Sequence, residues 1–149
     1  MLGALAGPFE DIPIDPVAKD LDYEGELCVV IGRDVKNLQL DDDPLDYVLG
    51  YMAGNDVSSR FWQLNPERSS GQHGFAKSFD KFAPVGPVIA SMSVVKDPHQ
   101  LRLRTWVNGE LRQETATNDL IFDIRAMIRH LSMGMTLRKG TIIMTGTPR

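Results

Sequence analysis

Glu24 and Glu26 stand two residues apart in Tyr23-Glu24-Gly25-Glu26-Leu27. In an extended strand that spacing puts both carboxylates on one face. Two like charges so close repel unless water solvates them or a cation is shared, and hard divalent ions such as Mg²⁺ take oxygen ligands of this kind. A solvent-facing strand edge carries the same pattern. A third carboxylate, Asp56, follows in Gly54-Asn55-Asp56-Val57-Ser58-Ser59-Arg60, with Gln63 three residues beyond Arg60. Asn and Asp in such a segment also make simple turns. Arg60 and Gln63 are donors suited to the carboxylate of an organic acid, which arginine grips with two parallel bonds.

Lys77 lies among aromatic residues in Phe75-Ala76-Lys77-Ser78-Phe79-Asp80. On a surface it would lay its stem on the rings and keep its charge in water. Buried beside a metal it would polarise a carbonyl or move a proton. His73, His99 and His130 show no metal-ligand spacing; His99 and His130 are expected to be structural or exposed. There is no phosphate-binding glycine loop, no Gly-x-Ser-x-Gly elbow and no supported Cys–His pair.

These residues need strands to carry them. Glu24 to Gly32 alternates, with Leu27, Val29 and Ile31 facing one way and Glu24, Glu26, Cys28 and Val30 the other. Asp43-Pro44 starts a short helix whose buried stripe is Leu45, Val48 and Leu49. Gly50 and Gly54 bracket an extended piece, and a helix is expected from Ser58. Residues 65–74 form a loop by composition, and Pro84, Gly86 and Pro87 punctuate the stretch after Asp80. Leu101 to Val107 alternates into an Asn108-Gly109 hairpin turn and a return strand to Thr115. Asp123 caps a helix with Ile124, Met127, Ile128 and Leu131 at helical spacing, stopped by Gly134, and a last strand covers Thr141 to Thr145. The class is α+β with strands dominant.

The chain has 149 residues, about one domain. Its 16 basic against 20 acidic residues give a net charge of −4 without a basic run, so no nucleic-acid partner is expected. The longest apolar run, Leu27 to Ile31, falls far short of the ~20 residues that cross a bilayer. The apolar start, residues 1–7, lacks the basic residues of a signal peptide. One cysteine, Cys28, excludes an internal disulfide and points to a reducing compartment, cytoplasmic or alternatively mitochondrial.

Read in order, eight segments resemble the core of the fumarylacetoacetate hydrolase family. They are Leu21-Asp22-Tyr23-Glu24-Gly25-Glu26-Leu27 with Val30-Ile31-Gly32; Asp46-Tyr47-Val48-Leu49-Gly50-Tyr51; Gly54 to Arg60; Lys77-Ser78-Phe79-Asp80; Pro84-Val85-Gly86-Pro87; Val107-Asn108-Gly109-Glu110; Leu131 to Leu137; and Thr145-Gly146-Thr147-Pro148. The resemblance runs from about Leu21 to the end, so residues 1–20 are taken as an extended lead-in and 21–149 as the core.

The resemblance implies a mixed β-sandwich roll with short helices, commonly a homodimer, holding Mg²⁺ or in some members Mn²⁺ or Ca²⁺. It implies that Glu24, Glu26 and Asp56 are the metal ligands and Lys77 the catalytic lysine. Arg60, Gln63 and Thr147 would contact a small anionic 2-oxo or β-diketo acid, Thr147 at its carboxylate. The implied reaction is C–C bond hydrolysis of the acylpyruvate type, or decarboxylation, through a metal-stabilised enolate. An isomerase or tautomerase on the same fold is the alternative, as is a non-catalytic, metal-binding and dimerising relative. Three departures stand against the family pattern. No histidine precedes His73, so the lid His–Glu pair of hydrolytic members is missing; Phe61 replaces an acidic residue; and Arg149 stands where a small residue is expected. The chain is accordingly expected to be truncated at both ends.

Overall fold

The computed structural model describes residues 2–148. The strands are β1 (Leu5–Ala6), β2 (Leu21–Asp22), β3 (Gly25–Ile31), β4 (Val48–Asn55), β5 (Ser58–Ser59), β6 (Ala83–Ser91), β7 (Arg102–Val107), β8 (Glu110–Ala116) and β9 (Ile142–Met144). Three short α-helices accompany them: α1 (Arg60–Gln63), α2 (Pro66–Ser69) and α3 (Ile124–Leu131). Five strands form a mixed sheet in the order β1-β6-β4-β3-β9, in which only the β1–β6 pairing is parallel. β2 pairs with β5, and β7 with β8, as two small antiparallel ladders. The expected strand-dominated α+β class is what the chain adopts. The Arg149 departure lies outside the described residues.

β3 is buried on both faces, not half-solvated as a single alternating strand would be. Leu27, Val29 and Ile31 pack with Tyr51, Ile124, Ile128 and Ile143 on one side. Cys28 and Val30 pack with Met52 on the other. With side chains packed over both of its faces, β3 encloses even its polar Glu26.

The expected helix over residues 43–49 stops early. Asp43 does cap it, accepting from the Leu45 N–H at 3.0 Å, but the 3₁₀ turn covers only Pro44–Tyr47. From Val48 the chain pairs with β3 from Val48↔Ile31 to Asn55↔Gly25, and this long ladder outweighs local helix propensity. Leu49 is consequently half-exposed. The helix expected from Ser58 starts at Arg60, because Ser58 and Ser59 pair with Asp22 and Leu21. Within residues 65–74, Asn65 accepts from the Glu67 N–H and Pro66 opens a one-turn helix, a start signal that loop-like composition conceals. The Pro84–Pro87 punctuation lies inside the nine-residue β6. Pro84 faces β1 at the sheet edge, and Pro87 falls where the β4–β6 register shifts.

The remaining elements agree with their sequence signals. Asn108 and Gly109 both take positive φ (52° and 84°), as a tight hairpin turn requires. Asp123 caps α3 by accepting from the Ala126 N–H at 2.7 Å, and His99 Nε2 accepts from the Ile124 N–H, a structural role as expected. The stretch read from the sequence as an extended lead-in instead adds β1 to the main sheet beside β6 and contributes the buried Ala4, Ala6 and Ala18.

Candidate active site

The ends of β3 and β4 bring the acidic residues together. Glu26 lies opposite Gly54, and Asp56 follows β4 directly, its N–H donating to Glu24 O at 2.9 Å. Glu24, Glu26 and Asp56 each offer an oxygen within 4.8 Å of the others. Glu26 is 3% exposed, which disposes of the solvent-edge alternative for this motif.

Lys77 ends a 3₁₀ turn, Phe75–Lys77, and reaches into the cluster. Its ammonium donates to Glu24 Oε2 at 2.7 Å, Asp56 Oδ2 at 2.5 Å and Ser58 Oγ at 2.9 Å. This is not a lysine lying on a surface. Arg60, at the start of α1, donates to Asp22 Oδ2 at 2.9 Å, to Glu24 Oε1 at 2.6 Å and to Gln63 Oε1. One guanidinium and one ammonium thus hold the two oxygens of Glu24. Arg60 also ties Gln63 to the acidic cluster.

Thr147 closes the other side. Its hydroxyl donates to Gly25 O at 2.9 Å, and the neighbouring Gly146 N–H donates to Glu26 Oε2 at 2.7 Å. Thr145 ties the same loop to β3, with its N–H and hydroxyl both donating to Leu27 O. A cleft of about 390 Å³ reaches Glu26 beside Met52, Gly86, Leu103 and Arg104, and a smaller one of about 130 Å³ runs along Thr145–Pro148.

The electrostatics are set by burial. Burial pushes the Glu26 carboxyl up to about 7; the Gly146 N–H opposes this, while the charges of Asp56 and Glu24 add to it. Burial likewise raises Asp56, against the pull of Lys77. For Lys77, burial disfavours the ammonium, but Asp56 and Glu24 outweigh it and its pKa lies above the ordinary lysine value. Arg60 is raised in the same way, with Glu24 and Asp22 outweighing burial. In the metal-free cluster Lys77 is thus held as an ammonium by Asp56 and Glu24.

All seven residues singled out in the sequence fall in this region, around β3 and the segments that meet its N-terminal end. Four further contributors were not singled out as site residues: Asp22, Ser58, Gln113 and the Gly146 N–H. Asp22 had a signal, since it continues the spacing of Glu24 and Glu26 one step back. Gln113 had none, since its strand is polar almost throughout; it is buried in the structure. His73 and His130 are exposed, and neither is hydrogen-bonded to the cluster. Phe61 packs on Trp62 at 5.3 Å and lies under the Arg68 guanidinium at 3.7 Å.

The chain is similar to known proteins over nearly its whole length. It is 39% identical over 145 residues to a mitochondrial oxaloacetate tautomerase of Xenopus laevis, covering 97% of this chain and 44% of that protein. The chain thus spans less than half of that relative. A 5-carboxymethyl-2-hydroxymuconate delta-isomerase from Mycobacterium smegmatis superposes with a TM-score of 0.85 at 40% identity, covering 99% of this chain and 55% of that one. A crystal structure described as a putative fumarylpyruvate hydrolase from Burkholderia cenocepacia gives 0.87 at 31% identity, with 99% and 63% covered. These are enzymes by name, and they differ in reaction. Residues 3–149 match the family described as fumarylacetoacetate (FAA) hydrolase C-terminal, and with the β3–β4 acidic cluster at its centre the chain belongs to the fumarylacetoacetate hydrolase family.

Proposed function

We propose that this chain is the catalytic core of a divalent-metal enzyme, with Mg²⁺ as the preferred ion, acting on small anionic 2-oxo or β-diketo acids. The observation that carries the reading is the Lys77 ammonium seated on Glu24 and Asp56 within a cluster of three buried or half-buried carboxylates. The donor set fits a hard cation: three carboxylates converge, and burial holds Glu26 near 7 for want of a strong counter-charge. Glu24, Glu26 and Asp56 would hold the ion. When bound, a divalent ion supplies Lewis acidity to the carboxylate and keto oxygens of a chelating acid.

The chain's own residues supply the rest. Lys77, protonated, donates a hydrogen bond to a keto oxygen or returns a proton to carbon when a C–C bond breaks. Arg60 keeps Glu24 oriented and adds positive charge beside an anionic substrate. The Thr147 hydroxyl donates to a substrate carboxylate once it releases Gly25 O. C–C bond cleavage, by hydrolysis or decarboxylation, is the first reading, supported by the fumarylpyruvate hydrolase likeness. Proton transfer alone is the second. It is supported by the tautomerase and isomerase relatives.

A homodimer is part of the proposal. β9 is an edge of the sheet, and exposed Phe122 lines an apolar groove beside its Ile143 and Met144, which supports pairing with a second copy. No helix among the described residues is long and apolar enough to cross a membrane. A cytoplasmic or mitochondrial site of action is proposed.

The test is a screen of acylpyruvates and oxaloacetate with Mg²⁺ and with chelator, following C–C cleavage and keto–enol exchange separately. Turnover that requires both Mg²⁺ and Lys77 is expected. Metal binding without turnover of any 2-oxo acid would leave the non-catalytic module as the reading.

A further inference from the structure

The β7–β8 hairpin stands outside the main sheet, yet one of its side chains reaches the middle of the site. Gln113 is 7% exposed, and its side-chain amide is engaged on both sides. Its Oε1 accepts from the Gly25 N–H at 3.2 Å. Its Nε2 donates to Thr147 Oγ1 at 2.8 Å and to Pro148 O at 2.7 Å. Thr147 Oγ1 in turn donates to Gly25 O, closing a ring of hydrogen bonds through the residue between Glu24 and Glu26. A reversed amide would set an oxygen against the Pro148 carbonyl, so the ring fixes which end of Gln113 faces Thr147.

We infer that Gln113 is a positioning residue that turns the Thr147 hydroxyl into a dedicated donor for the carboxylate of the substrate. The inference rests on the 2-oxo acid reading above. A hydroxyl has one proton and two lone pairs. With the Gln113 N–H aimed at its oxygen, Thr147 is satisfied as an acceptor, and its proton must point away. In this structure the proton goes to Gly25 O, and an arriving carboxylate oxygen offers a stronger acceptor. Gln113 does not touch the reacting atoms; it acts through Thr147. The neighbouring contact shows how closely the hairpin is seated: a Cβ on Gly25 would lie 2.2 Å from Thr105 Oγ1.

The experiment uses the full chain with Mn²⁺ and oxalate, a dianion that presents adjacent oxygens as a 2-oxo acid does, and compares wild type, Gln113→Glu, Gln113→Leu, Thr147→Val and the Gln113→Leu/Thr147→Val double variant. Gln113→Glu keeps an acceptor for Gly25 but replaces the donor to Thr147 and Pro148 O with an oxygen, and Gln113→Leu removes that donor without adding charge. Expected are a loss of oxalate affinity of about tenfold or more in both Gln113 variants, the size of one hydrogen bond to a charged oxygen, and Mn²⁺ affinity within about threefold of wild type. With oxaloacetate as substrate, KM rises while kcat stays near wild type. The double variant binds oxalate no more weakly than Thr147→Val alone, because Gln113 has nothing left to act through.

Unchanged oxalate affinity, parallel loss of Mn²⁺ and oxalate binding, additive effects in the double variant, or Gln113 variants that do not fold would each overturn the inference. A wild type that binds oxalate as described but turns over no 2-oxo acid sinks the proposed reaction and leaves this role standing. A wild type that turns over oxaloacetate with the KM of the Gln113 variants unchanged sinks the role alone.

Discussion

At the scale of single residues, the Lys77 ammonium holds Glu24 Oε2 and Asp56 Oδ2, two of the oxygens that a divalent ion would draw on. Lys77→Met should therefore separate two quantities that an inert structural lysine would move together. Turnover is expected to fall on the order of 100-fold or more, the scale of a lost proton donor. Mn²⁺ affinity is expected to stay level or rise, because a competing cation is gone; calorimetric titration that finds it weaker would show that the lysine builds the ligand set instead. Glu26 makes a pH prediction of definite sign. Its carboxyl is raised from the ordinary 4.5 to about 7, so the folded state retains a proton that the unfolded chain has already lost. The associated stability is complete below about 4.5 and disappears as pH rises through about 7, a difference on the order of 3 kcal/mol. Metal-free protein should accordingly unfold at lower denaturant at pH 8 than at pH 5, Glu26→Gln should flatten that slope, and Mg²⁺ should offset the loss at pH 8. A metal-free stability that rises from pH 5 to pH 8 would contradict this account of Glu26.

Among the elements, the packing of the β7–β8 hairpin on β3 decides whether the site closes. Gly25 has no room for a side chain, since Thr105 Oγ1 and Gln113 Oε1 lie 2.2 and 3.2 Å from where its Cβ would be. Gly25→Ala is expected to cost about 1–3 kcal/mol, the usual penalty of overpacking. Adding Thr105→Ala in the same chain should recover most of that, because the clash is with a hydroxyl that alanine lacks. Chemical denaturation of the single and double variants measures both numbers, and no recovery in the double variant would place the strain elsewhere than in this contact. The glycine is thus a requirement of strand-to-hairpin approach, located between the two glutamates that the approach encloses.

The whole molecule presents a five-stranded sheet whose edges are β1 and β9. Phe122, Met127, Leu131, Ile143 and Met144 line a groove of about 410 Å³ beside β9, and Ile121 and Phe122 are strongly exposed. Edge strands flanked by apolar side chains pair with other chains unless charge or cover prevents it. Light scattering across a dilution series is expected to show a dimer that Phe122→Asp weakens. A monomer at every concentration would remove the homodimer from the proposal.

Much of this was legible in the residues themselves. The β7–β8 hairpin, its Asn108-Gly109 turn and the Asp123-capped α3 obey local rules of alternation, φ and capping, which act within a few residues. The spacing of Glu24 with Glu26, and of Arg60 with Gln63, likewise put the right groups on shared faces. Local rules could not say that β3 is central, that Leu49 turns outward on β4, or that the proline-marked stretch at 84–87 lies within a strand, since each depends on a partner strand distant in sequence. Nor could they pair Lys77 with Glu24, 53 residues away, or Gln113 with Gly25, 88 residues away. Residue types and their spacing determined which chemistry the chain is equipped for. The tertiary structure decided that the carboxylates share one enclosed space, because only long-range pairing brings β3, the end of β4, Lys77 and Arg60 together, and these donors offset the repulsion that the loss of water strengthens.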